Sequence, residues 1–105
     1  MIVRVSGGQA RVEDQDDCTR LHVTTEQSAE STDSALRADG LGHLADPATA
    51  QLSVAQLRAR ASVLGVAPDW PDRWEAMLDY ARVKGWLSPD GSLVQGHVES
   101  LPADR

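Results

Sequence analysis

The sequence predicts an α+β domain: a small antiparallel sheet, built from N-terminal strands and a C-terminal hairpin, packed against two main helices. Three observations predict it. Apolar and polar side chains alternate at both ends of the chain, over Ile2–Ser6 and over Ser92–Glu99. Two capping boxes, Ser53 with Gln56 and Asp72 with Glu75, open segments whose apolar residues recur at helical spacing. The chain has 105 residues, 41% hydrophobic and 25% charged, the size and balance of one globular domain spanning 1–105.

Along the chain, Val3 and Val5 alternate with Ile2, Arg4 and Ser6 in a first strand, and Gly7-Gly8 suits a two-residue hairpin turn. A return strand covers Gln9 to Glu13, with Ala10 and Val12 on its apolar face. After the acidic loop Asp14–Asp17, renewed alternation places a third strand over 18–24. Residues 25–50 are poorly defined, a functional loop or a mobile linker. A short helix over 31–39, capped by Ser31 or Thr32 and stopped at Gly40, is the most they offer. The next helix has its cap at Ser53, a hydrophobic staple of Leu52 with Leu57, and a stop at Gly65. Asp72 caps the following helix, which carries Trp74, Met77, Leu78 and Ala81 as its apolar stripe and ends at Gly85. Trp86-Leu87, the turn Ser88-Pro89-Asp90-Gly91 and the return strand 92–99 form the terminal hairpin. Residues 101–105 should be a frayed tail.

Composition excludes several classes. The charge is -6, from 16 acidic and 10 basic residues, with nine of the acidic ones in the first 50 positions. Such a field repels nucleic-acid phosphates and anionic headgroups. One cysteine, Cys18, allows no internal disulfide and fits a reducing compartment. Met1–Val5 is too short an apolar run for a signal peptide, and no stretch approaches the roughly 20 apolar residues of a membrane helix. The expectation is a cytoplasmic protein.

No chemical motif stands out. Cys18 and His22 would lie about 13 Å apart along a strand, and no paired-cysteine or HExxH pattern supports a metal site. Glu13, Asp14, Asp16 and Asp17 lack the order of a calcium loop, and Gly7-Gly8 lacks the frame of a phosphate loop. Neither cofactor nor metal is expected. His97 and Glu99 share a strand face, where a histidine beside a carboxylate can serve as an oriented base. With Tyr80 they are the candidate pocket residues, although no nucleophile is placed to use them. Trp70, between Pro68 and Pro71, either folds back as a lid or stands exposed as an interface anchor. Together with Asp14, Asp16 and Asp17 it makes the candidate interface.

By elimination the sequence points to an accessory or regulatory protein that works by contact with a protein partner or a second copy of itself. One alternative is a small-molecule-binding protein or small enzyme with a pocket at a dimer interface. Another is a winged-helix nucleic-acid binder, suggested by the order helix, turn, helix, hairpin. The hairpin 86–99 carries no Lys or Arg for phosphate contact, which argues against nucleic acid as a partner.

Overall fold

Val3 and Val5 are fully buried while Ile2, Arg4 and Ser6 are half-exposed, so strand β1 (Ile2–Ser6) follows its alternation. Gly7 and Gly8, at φ of 57° and 76°, turn the chain into β2 (Gln9–Glu13), which pairs antiparallel with Val3 opposite Val12 and Val5 opposite Ala10. These coordinates are a computed structural model, which describes residues 1–101.

The third strand is shorter than expected. β3 covers His22–Thr25 rather than 18–24. Ahead of it, Asp17 accepts hydrogen bonds from the backbone and hydroxyl of Thr19, a local turn that competes with a sheet ladder. Residues 14–21 carry the chain from the end of β2 past the start of β1, so β3 runs parallel to β1, Val3 beside Val23.

The segment 25–50 holds a helix and two strands. Helix α1 (Ala29–Ala38) starts two residues ahead of the expected 31, because its cap is Ser28 rather than Ser31 or Thr32 and accepts from the Ser31 backbone at 3.1 Å. Strands β4 (Gly42–Asp46) and β5 (Thr49–Ser53) form an antiparallel hairpin with a bulge at Leu44–Asp46. At Gly42, φ is 147°, and any Cβ would sit 2.0 Å from the Gln51 carbonyl oxygen, so only glycine lets the two strands approach.

Helix α2 (Val54–Leu64) begins where its capping box places it: Ser53 accepts from the Gln56 backbone at 3.2 Å. Helix α3 (Trp70–Lys84) does not. It starts two residues ahead of Asp72, with Asp69 at the cap position and Pro71 in the first turn. The Asp69 carboxylate makes no capping bond and instead faces the Arg73 guanidinium at 3.2 Å.

Strand β6 (Leu93–Ser100) enters between β3 and β5, parallel to the first and antiparallel to the second. The terminal hairpin shrinks to one bridge, Leu87 opposite Val94, closed by the Ser88–Gly91 turn. Leu101, expected in the tail, donates its backbone N–H to Thr25 at 2.7 Å; the other tail residues, 102–105, lie outside the described residues. The architecture is therefore a compact α+β domain with three helices, not two, on a mixed rather than antiparallel sheet of order β2-β1-β3-β6-β5-β4.

The sheet curls. Asp33 of α1 accepts from the Leu44 backbone on edge strand β4 at 2.7 Å. Asp39, at the other end of the same helix, accepts from the Ala10 backbone on edge strand β2 at 2.8 Å. Six helical residues span about 9 Å, whereas five strand spacings of a flat sheet span about 24 Å. One helix reaches both edges only because the sheet bends them toward each other. The concave side buries Val3, Val5, Val12, Val23, Ala50, Leu52, Val94 and Val98 with Leu36, Leu57, Trp70, Trp74 and Ala81 of the helices. The opposite face carries Arg4, His22, Gln95, His97 and Glu99, all at least partly open to solvent.

Candidate functional site

Along β6 the neighbouring strand changes. His97 is paired with His22 of β3, but two residues earlier the Gln95 backbone donates to the Trp86 carbonyl at 2.8 Å. Between the start of β3 and Trp86 the sheet has a gap. A cleft of about 260 Å³ opens there, lined by Arg20 and Leu21 before β3, Met77, Tyr80 and Ala81 of α3, Trp86, and Gln95 and His97 of β6. Its floor is apolar, from Val94, Ala81, Leu21 and Met77. Trp86 and Tyr80 wall it, edge to face at a ring separation of 5.8 Å, and the Lys84 ammonium sits 5.5 Å from the Tyr80 ring centroid.

The sequence-derived pocket residues divide. His97 and Tyr80 line this cleft together. Glu99 lies two residues further along β6, exposed and paired with Thr24, outside it. Arg20, Trp86 and Gln95 complete the cleft and were not legible as its members. A lone arginine after an acidic loop marks the first weakly, and nothing local marks the others.

The candidate interface divides as well. Trp70 is 1% exposed, stacked on Trp74 at 5.2 Å, and its indole N–H donates to the Gln15 carbonyl at 2.7 Å. It closes the core, so it is not an exposed anchor. Asp16 accepts from the Ala67 backbone at 3.1 Å and from Arg73 at 2.9 Å, which ties the acidic loop to the link before α3. Those donors, the backbone amide first, hold its carboxyl below the usual range. Asp17 is held at about 2 by the Thr19 hydroxyl and then the Thr19 backbone. Asp14 is exposed and forms the turn, its carbonyl accepting from the Asp17 backbone at 3.0 Å. Trp86 is 41% exposed.

Little here suits catalysis. Burial pushes the Cys18 thiol up, away from the reactive thiolate. No serine or cysteine lines the cleft beside His97. Among the described residues no group of three or more His, Cys, Asp or Glu is placed to hold a metal ion, and no helix is long and apolar enough to cross a membrane. The winged-helix alternative loses its wing, because β6 is locked between two strands instead of projecting. Comparison with protein-family models, with curated proteins and with solved structures found no match to this chain. The geometry alone therefore carries the functional reading.

Proposed function

We propose that this is an accessory or regulatory protein that works by contact with a protein partner, through the C-terminal half of α3 and Trp86. The observation that carries this is an exposed apolar group: Val83 at 84%, Tyr80 at 57% and Trp86 at 41% exposure lie within one turn of chain of each other or in ring contact. Exposed tryptophan and tyrosine are the side chains that most often anchor interfaces, since they bury large area with few rotatable bonds. Trp86 thereby takes the anchoring part that one reading of the sequence assigned to Trp70. The acidic balance of the chain keeps nucleic acid and anionic membranes out of the proposal.

A photo-crosslinking side chain at Val83, with the same side chain at exposed Gln9 as control, tests the reading in cells. The expected result is one discrete adduct from position 83 that is absent from position 9 and lost on Trp86→Ala. An adduct of twice the chain mass would make the partner a second copy. Identical products from both positions, or none, would overturn the proposal. A second reading, a ligand-binding protein, is favoured by the cleft itself, which lies within one chain rather than between two.

A further inference from the structure

We infer that the cleft between β3 and Trp86 binds an organic carboxylate carrying one planar or branched apolar group. Size sets the first limit. At about 260 Å³ the space lies below the range of about 300–1,000 Å³ typical of drug-sized ligands, so it takes a single ring or branched side chain. The lining sets the second. Val94, Ala81, Leu21 and Met77 offer no charge to a ligand, and the Trp86 and Tyr80 rings offer flat walls. An apolar body gains there by leaving water.

Charge sets the third. In a chain of charge -6, no acidic side chain among the described residues lines the cleft. Arg20 and His97 line it, and Lys84 stands over Tyr80 at its edge. Arg20 is under-used. Its ion-pair partner among the described residues is Asp17 at a long 3.5 Å, and its side chain is 63% exposed beside the cleft. Its planar guanidinium is the group best shaped for a carboxylate, and the Gln95 amide lines the same wall. Neutral ligands would forgo the charge-assisted bond to Arg20, and small anions such as acetate would leave the floor wet. The site therefore asks for both parts in one molecule. That molecule is either a free acid or the carboxyl end of a polypeptide with an apolar last residue.

Titration of the full chain, read by amide and indole NMR shifts and by Trp86 fluorescence, separates the possibilities. The probes are phenylacetate, phenylacetamide, acetate, and N-acetyl-glycyl-phenylalanine as free acid and as amide. Saturable shifts at Leu21, Gln95, His97 and the Trp86 indole are expected with phenylacetate or the free-acid peptide. Phenylacetamide, acetate and the peptide amide should each bind about tenfold or more weakly, because each lacks the charge-assisted bond or the apolar contact. Arg20→Gln should weaken the preferred acid about tenfold, while Arg11→Gln, remote on β2, should leave it unchanged. Preference for phenylacetate assigns the free acid, and preference for the peptide acid assigns the chain end. Absence of saturation by either acid overturns the inference, as does equal binding of acid and amide or an unchanged affinity in Arg20→Gln. Partner capture at Val83 is read by crosslinking without any added acid, so failure here and failure of the contact reading are separate results.

Discussion

Trp74 is the residue on which the interior depends most. It is 0% exposed and stacked on Trp70, and the chain contains no phenylalanine to share the task. Trp74→Ala should lower stability by about 3–5 kcal/mol, a large part of the roughly 5–15 kcal/mol of a domain this size. A urea midpoint close to wild type would refute the packing assigned to α3. Asp90 makes a different, pH-dependent contribution. It accepts from the Ser92 backbone, the Ser92 hydroxyl and the Ser88 hydroxyl at 3.0, 2.7 and 2.8 Å. The backbone bond first, then the hydroxyls, hold its pKa at about 2 instead of 3.8. A folded-state value below the unfolded one means the contribution is complete above 3.8 and fades as pH falls to about 2. The midpoint gap between wild type and Asp90→Ala, followed from neutral pH into acid, should narrow across that window. A gap constant with pH would mean that the charged carboxylate does not hold the turn.

At the scale of elements, the two capping boxes are not equal. Ser53 bonds to the Gln56 backbone, so Ser53→Ala should cost on the order of 1 kcal/mol. Asp72 lies inside α3 and caps nothing, so Asp72→Ala should leave the urea midpoint near wild type. Equal losses in the two variants would contradict the helix starts. The contrast shows which signals the chain carries locally. β1, β2 and α2 were legible because alternation, the Gly7-Gly8 turn and the Ser53 cap act over a few residues. α3 starts earlier, at Trp70, with Pro71 fitting its first turn, and Arg73 draws the Asp69 carboxylate away from capping. β4 was illegible, since its bulge and half-exposed residues break any alternation. The parallel pairing of β3 and the central place of β6 depend on partners twenty or more residues away, where no local pattern reaches. The cleft inherits that limit. His97 and Tyr80 were visible as polar or aromatic residues on regular elements, but Arg20 and Trp86 join them only through the change of neighbour along β6.

For the whole molecule, α1 acts as the closure of a curled sheet. Asp33 and Asp39 occupy backbone N–H groups on opposite edges, and unoccupied edges are templates for pairing between chains. The double variant Asp33→Ala/Asp39→Ala should therefore associate with rising concentration, read by sedimentation velocity, under conditions where Trp86→Ala does not. A double variant that sediments like wild type at every concentration would deny the closure. The position of β6 has a consequence for synthesis. β1, β2 and β3 form one set of strands and β4 and β5 another, and only β6 is bonded to both. It also follows the other eight elements in chain order. A nascent chain halted before Leu93 holds two half-sheets with bare facing edges and no ladder between them, however complete their local structure. Assembly of the sheet waits on β6, so slow translation ahead of Leu93 exposes β3 and β5 to capture by chaperones or by each other's copies.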